Sequence, residues 1–426
     1  MARLRAGQIG RHRGTLLAGA LLTAILAAGA CAPSGEQAAA AALQPQVNPH
    51  ANDSIGTVRE IYDGVLSPDL AVTTFRNIDR LFPTRRVLRS RSPLPLPAAS
   101  TPLGPVTTTY RGKDYTLDEV LELNRVAALL VLKDGRIAME RYRFDNTERT
   151  RWMSMSVAKS ITSTLIGAAV KEGKIASLTD SVTKYVPSLK GSAYDGATVR
   201  DILMMSSGAK WSETYTDPTS DRRRLLEAQI AQLPGAAMAV MGSLPRAAEP
   251  GTRNNYNTGE TQVAAEILTR AVGMSLSDYL YDRIWSKVGM EFDATWWLDS
   301  PNGVEIGGSG FSATLRDYGR FGLFVMHDGI VPGDTILPSG WLAEATHPTQ
   351  LRGGKSLDYG YLWWPGTSKE DRADFAFGAE GIHGQFVYVN PVERVVIVIL
   401  SARPPPSGGA AVDEWAFFRS ITDALK

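Results

Sequence analysis

The sequence predicts an α+β protein, α/β in the broad sense, in which an antiparallel sheet is flanked by helices and a helical region is inserted. Three observations carry this. Apolar hairpin patterns stand near both ends of the chain, at 126–144 and 385–402. The stretch between them is dominated by helical spacing and helix caps. Composition is that of an ordinary globular protein, with 44% hydrophobic and 21% charged residues over 426 positions, which excludes disordered and collagen-like chains. Strands at both ends around a helical middle imply one sheet assembled from the two termini.

Residues 1–13 are basic and Thr15 to Ala30 are apolar and small, the layout of a secretory signal whose apolar run is short for a membrane span. Cys31, the only cysteine, follows Leu26-Ala27-Ala28-Gly29-Ala30 directly. Small residues ending at a lone cysteine resemble a bacterial lipobox, although Ala28 stands where that pattern prefers leucine. A lipoprotein, an ordinary secreted protein and an uncleaved anchor all remain open, and the placement of Cys31 favours the first. Each exports the body, so the expected location is a membrane-anchored lipoprotein facing the periplasm or exterior. One cysteine also excludes a disulfide framework and a Cys-based zinc site. Net charge is +1, and four positives fall at Arg3, Arg5, Arg11 and Arg13, so the remainder is slightly acidic and offers nucleic acid nothing.

Residues 31–54 are biased to Ala, Gln, Pro and Asn and read as a tether. Residues 55–115 form an N-terminal extension without a motif, ending in the Pro-rich connector SPLPLPAASTPLGP. From there to residue 426 the signals sharpen into one domain. Thr116 and Glu119 make a capping box for a helix through Asn124. VAALLVL, an Asp134-Gly135 turn and RIAMERYRF make a hairpin. Residues 156–172 read as a buried helix, with further helices at 198–205, 222–232, 260–272, 276–285, 314–327 and 339–346. QFVYVNP and RVVIVILSA make the second hairpin, and 412–425 an amphipathic helix.

A serine and a lysine spaced i, i+3 on a helix share a face, which sets an amine beside a hydroxyl as covalent acyl transfer requires. This S-x-x-K pattern occurs at Ser156/Lys159, Ser181/Lys184 and Ser207/Lys210. Ser181 leads into a short polar turn and Ser207 precedes Gly208, so both read as structural. Ser156 instead opens a strongly apolar helix, where free N–H groups and the helix dipole favour developing negative charge. Lys159 on that helix is expected to be desolvated, with a lowered pKa suited to taking a proton.

The stretch WMSMSVAKSITSTLIGAAVKEGKI resembles the active-site helix of the serine β-lactamase and penicillin-binding-protein superfamily, more closely its class C-like esterase and 6-aminohexanoate-dimer hydrolase branch. The second motif of that family is similar to Tyr256-Asn257-Thr258, and the third to His383-Gly384-Gln385 in GIHGQFVYV. The resemblance implies a β-lactamase-like serine hydrolase domain over 116–426, with catalytic Ser156, Lys159 and Tyr256. Asn257, Thr258, His383, Gly384 and Gln385 are then expected at the substrate, His383 on a core strand whose N–H joins that of Ser156 as oxyanion donor. Tyr215, in WSETYTDPTSD, stands where the aminohexanoate branch carries a tyrosine facing the substrate. Trp363-Trp364 fit a pocket wall or the core equally, and His327 and His347 read as structural. An ammonium beside Tyr256 is expected to lower the phenol's pKa, making it a base toward Ser156 and an acid toward the leaving group.

Departures from the family pattern bear on substrate. His383 replaces the usual lysine of the third motif and Gln385 its glycine, which removes a permanent cation for a β-lactam or peptide carboxylate. Thr258 replaces Asn or Ser. The expected function is therefore a serine hydrolase of a small ester, amide or short peptide-like substrate through an acyl-enzyme on Ser156, with no metal or organic cofactor. A β-lactamase or D-Ala-D-Ala-type peptidase is the first alternative. A non-catalytic penicillin-recognising sensor lipoprotein is the second.

Overall fold

A computed structural model describes residues 46–426. The expected signal, Cys31 and most of the tether lie outside the described residues. Six antiparallel strands form the central sheet in the order Trp364–Pro365, Phe377–Gly381, Gln385–Asn390, Val395–Ser401, Val126–Lys133 and Arg136–Tyr142. The two apolar hairpins thus meet at its centre, Val395 opposite Lys133 and Leu400 opposite Ala128.

Successive side chains of a strand point to opposite faces, and both faces of these central strands are apolar. Leu130, Leu132, Val387, Val396 and Val398 pack into one core with the helices Val157–Lys171 and Leu315–Met326. Leu129, Val131, Tyr388, Ile397 and Ile399 pack into another with Leu117–Leu123 and Glu414–Ala424. The result is a sheet between two helical layers, as the continuous burial of Val126 to Leu132 requires. The capping box at Thr116 is present, with Thr116 Oγ1 accepting from the Glu119 N–H at 3.3 Å.

The helical middle is inserted as expected, with helices Val199–Leu203, Asp221–Ile230, Thr258–Val272 and Trp341–Ala345, and it holds a further helix, Ala236–Gly242, that the sequence reading did not mark. The stretch expected as one helix over 276–285 is Leu276–Leu280 followed by a wider π turn, Tyr281–Trp285.

A second antiparallel sheet, not expected from the sequence, joins Thr84–Val87, Ala294–Trp297, Phe311–Thr314 and Arg151–Met153. Its strands have three or four residues and no long alternation. The extension read as motif-free also packs into the main core, through the helices Val58–Asp63 and Pro68–Phe75 with buried Tyr62 and Phe75. Residues 46–54, read as the end of a tether, are tied to the body. Asp53 pairs with Arg76 at 2.7 Å, and Asn48 donates to Asn77 at 3.0 Å. Among the described residues no helix is long and apolar enough to cross a membrane.

Candidate active site

The chain leaves the second sheet at Met153, turns through Met155 and enters the helix Val157–Lys171. Met155 has a φ of 42°, a left-handed value that costs free energy in a residue other than glycine and recurs at functional turns. Ser156 stands at the N-cap with helical dihedrals, and its side chain makes no capping bond. Its hydroxyl is free for another partner and accepts from Lys159 Nζ at 2.7 Å. A second Lys159 bond runs to the Gly308 carbonyl at 3.0 Å, and Lys159 is 2% exposed. Burial drives its pKa down to about 7, while the Glu213 carboxylate pulls upward and the Arg222 cation adds to the lowering.

Tyr256 completes the group. Its hydroxyl is hydrogen-bonded with Ser156, and Lys159 Nζ lies 5.4 Å from its ring centroid. Trp364 stacks on the ring at 5.9 Å, and Tyr359 meets it edge-on at 6.2 Å. The expected lowering of the phenol's pKa is corrected by the structure. Burial and the Glu213 charge raise it well above the ordinary tyrosine value, and the bond with Ser156 offsets only part. A desolvated lysine whose own pKa is near 7 is not the full cation that the lowering required.

Glu213 is the acid that sequence reasoning missed. It sits in an irregular loop with no motif around it. Its carboxylate accepts from the Thr258 N–H at 2.9 Å, from the Thr258 hydroxyl, and from Trp211 Nε1. Asp221 fastens the same loop by accepting from the Ser212 N–H at 3.0 Å. Tyr215 follows on this loop, hydrogen-bonded to Glu213 and within the electrostatic reach of Tyr256, so the structure does bring it to the site. Its ring lies 6.1 Å from that of Tyr62 in the N-terminal extension.

Three residues expected at the substrate are committed to the protein instead. Asn257 is fully buried and caps Thr258–Val272, its Oδ1 accepting from the Glu260 N–H at 3.2 Å. Thr258 is held by Glu213 as described. Gln385 is fully buried, accepting from Trp152 Nε1 at 3.0 Å and donating to the Ser401 carbonyl at 2.8 Å. It ties the two sheets and the last strand together.

His383 is not on a strand. It lies in the turn between Phe377–Gly381 and Gln385–Asn390 with a φ of 66°. The ring is buried against Phe75 at 4.9 Å, with Nδ1 donating to the Arg403 carbonyl at 2.8 Å. Burial brings its pKa down to about 4, so it carries no charge at neutral pH. Gly384 has a φ of 87° and no room for a side chain, since a Cβ would sit 2.8 Å from that of Ser401. It serves the turn and its packing, not the approach of a substrate.

The last strand residue before this turn does adjoin the nucleophile. A Cβ on Gly381 would come within 2.5 Å of the Ser154 carbonyl and 3.1 Å of the Ser156 nitrogen. Neither the Ser156 N–H nor the Ile382 N–H has a hydrogen-bond partner among the described residues. Glu380, also unflagged by sequence, lies one residue earlier. It accepts from Trp415 Nε1 at 2.8 Å, and burial pushes its pKa up to about 7.

The two tryptophans divide their roles, Trp363 filling the core beside Phe321 and Trp364 flanking Tyr256. The other S-x-x-K matches are structural. Ser181 caps a short helix while Lys184 pairs with Asp180, and Ser207 donates to Glu260. Among the described residues no group of His, Cys, Asp and Glu side chains could hold a metal.

A family model described as Beta-lactamase matches residues 124–418. The chain is 30% identical over 354 residues to a 6-aminohexanoate-dimer hydrolase of Paenarthrobacter ureafaciens, covering 78% of this chain and 85% of that one. A solved structure from Bacillus anthracis, provisionally called a 6-aminohexanoate-dimer hydrolase, superimposes with a TM-score of 0.71 at 24% identity over 90% of this chain and 98% of that one. EstCE1, a hydrolase with promiscuous acyltransferase activity, shares the fold with a TM-score of 0.57 at 15% identity over 72% and 96%.

The depressed pKa of Lys159 has a thermodynamic counterpart. Between about 7 and the ordinary 10.5 the unfolded chain binds a proton at this lysine that the folded chain lacks, so stability rises with pH across that window. Lys159→Met removes this dependence. Denaturant unfolding at a series of pH values is expected to find the variant more stable than the parent at pH 6, with the gap shrinking toward pH 10.

Proposed function

Since the chain belongs to the Beta-lactamase family of serine hydrolases, we propose that Ser156 attacks the carbonyl carbon of a carboxylic ester or simple amide and carries the acyl group until water releases it. The observation that carries this reading is the 2.7 Å bond between the buried Lys159 amine and the Ser156 hydroxyl, with Tyr256 on the same hydroxyl. An amine with a pKa near 7 is half neutral at physiological pH, the condition in which a base accepts a proton best. Lys159 therefore takes the proton of Ser156 as the serine Oγ bonds to the carbonyl carbon. Tyr256, which stays protonated, gives its proton to the leaving oxygen or nitrogen and is replenished from Lys159. Water then enters by the reverse route, losing its proton to this pair as the serine regains one. The N–H groups of Ser156 and Ile382 face the developing oxyanion from the two sides of the turn packed against Gly381.

Esters and simple linear amides suit this site better than β-lactams. His383 stands where the family motif has a lysine and is uncharged near neutral pH, so it offers no permanent cation to an acidic β-lactam. The curated relative is named for hydrolysis of a dimer of 6-aminohexanoate, a linear amide. The export reading also stands as our proposal, with a lipid on Cys31 holding the mature body at a membrane.

Treatment with a fluorophosphonate followed by mass spectrometry is expected to give one adduct, on the peptide containing Ser156. Lys159→Ala and Tyr256→Phe are each expected to lower kcat by about 10² to 10⁴, with the double variant little worse because the two share each proton transfer. An adduct on Ser181 or Ser207, or clean additivity, would overturn these roles.

Against a panel of substrates, kcat/KM for a short-chain acyl ester is expected to exceed that for a chromogenic cephalosporin by about 10²-fold or more, the scale of one charge-assisted contact. Equal rates would move the protein to the β-lactamase or peptidase reading. Acylation by penicillin without turnover of anything would move it to the sensor reading.

Cell fractionation tests the anchor. Wild type is expected in the membrane fraction and Cys31→Ser in the soluble exported fraction with its esterase activity intact. A soluble wild type would sink the lipid attachment while leaving export untouched.

A further inference from the structure

Among the described residues five arginines are buried: Arg76, Arg222, Arg223, Arg320 and Arg403. Burying a guanidinium is costly unless an anion accompanies it. Four of the five obey this, Arg76 with Asp53, Arg223 with Asp63, Arg320 with Asp317 and Glu291, and Arg403 with Glu414. Arg222 does not. It is 1% exposed, pairs with no carboxylate, and leaves its Nε and Nη1 hydrogens without a partner among the described residues. The ring of Tyr62 lies against it, 4.3 Å from the guanidinium carbon.

This unaccompanied cation borders the catalytic group. Tyr62 carries it on one side and touches Tyr215 on the other. Its charge is felt at Lys159, Tyr215 and Tyr256 alike. The helix Asp221–Ile230 that bears it follows directly on the loop of Glu213 and Tyr215. A buried guanidinium with its Nε and Nη1 hydrogens unused, held beside a nucleophile, has charge and donors with which to receive a carboxylate through charge-assisted bonding.

We infer that Arg222 is the anion receptor of the substrate pocket, and that the preferred substrate is a linear ester or amide bearing a carboxylate, seated against Arg222 beside Tyr62 and Tyr215 while Ser156 attacks its carbonyl. This rests on the serine hydrolase reading above and deepens it. The cation on this helix is separate from the one lost at the third motif, so a linear acid is accepted where a compact acidic β-lactam is not.

The test compares matched pairs differing only in whether a terminal carboxylate is free or methyl-capped. One pair is the p-nitrophenyl ester of adipic acid monoanion and of its monomethyl ester, the other N-butyryl-6-aminohexanoate and its methyl ester. Wild type is expected to prefer the free acid in at least one pair by about 10-fold or more in kcat/KM. Arg222→Met is expected to lower the ratio of kcat/KM for that acid to kcat/KM for its capped partner by about 30-fold, the scale of hydrogen bonds to a charged group, whatever change common to both follows from the lost charge near Lys159. Arg222→Lys, which keeps the charge and loses the fork, is expected to fall between.

No preference in either pair, or an equal loss on acid and capped ester in a variant that melts like the parent, would overturn the receptor. The capped ester guards against a folding defect, because a misfolded variant loses it too and Arg222→Lys then decides. Failure of the hydrolase reading looks different. In that case neither ester is turned over by wild type, or Ser156→Ala turns both over at the parental rate.

Discussion

Burying an amine beside a hydroxyl is the constraint around which the rest of the site is arranged. Lys159 lies on a helix whose neighbours are almost all buried, and it is 2% exposed itself. An ionised amine in such a place has lost the water that stabilised its charge, and only the Ser156 hydroxyl and the Gly308 carbonyl replace it. The neutral form gains by comparison. Both sheets are needed to hold this. The second sheet delivers the chain to Ser156, and the central sheet presses the end of Phe377–Gly381 against the same turn. A gap at either contact would admit water and return the lysine toward its ordinary state.

The same burial acts in opposite directions on the two proton carriers. It lowers the amine and raises the phenol, because in each case the neutral form is favoured. Glu213 adds to the effect on Tyr256 and partly opposes it on Lys159. Around neutral pH the site therefore holds a lysine able to accept a proton and a tyrosine that keeps its own. In the mechanism we propose, the division of labour follows from this: the lysine draws the proton from the nucleophile and the tyrosine hands one to the leaving group. A tyrosinate base would need a fully charged lysine beside it, and burial leaves Lys159 only partly charged near neutral pH.

The parts of the fold legible in the sequence are those where one pattern runs long enough to be periodic. VAALLVL and RVVIVILSA gave the centre of the sheet, and the apolar run after Ser156 gave the nucleophile helix. Strands of three or four residues such as Arg151–Met153 carry too little pattern to be seen, and the sheet they form depends on pairing across distant parts of the chain. That Ser156, Lys159 and Tyr256 come together was readable because spacing along one helix and a motif order survive in one dimension. Asn257, Thr258 and Gln385 were misjudged for the converse reason: a motif position says where a residue stands and not which way its side chain turns. Glu213 and Arg222 carried no signal, since a lone acid in a loop and one arginine of three in a row look like solvated surface until burial is known.

Residues before the stretch 124–418 pack against the candidate site. Phe75 packs on His383 and on Trp152. Tyr62, one helix earlier, meets both Tyr215 and Arg222. Asp63 pairs with Arg223, which ties that helix to Asp221–Ile230 and fixes the wall against the loop that carries Glu213. Arg59 and Glu227 add an exposed pair to the same contact at 2.6 Å, worth little beside the buried one. Chemistry and selectivity are thus supplied from different stretches of chain. The part matched by the family model brings serine, lysine and tyrosine together, and the extension before it supplies aromatic side chains against Tyr215 and Arg222, the arginine we infer to receive the substrate. On the proposed reading, a change in the extension acts first on which ester or amide is chosen, because its side chains meet Tyr215, Arg222 and His383 while the hydrogen bonds of Lys159 run to Ser156 and Gly308.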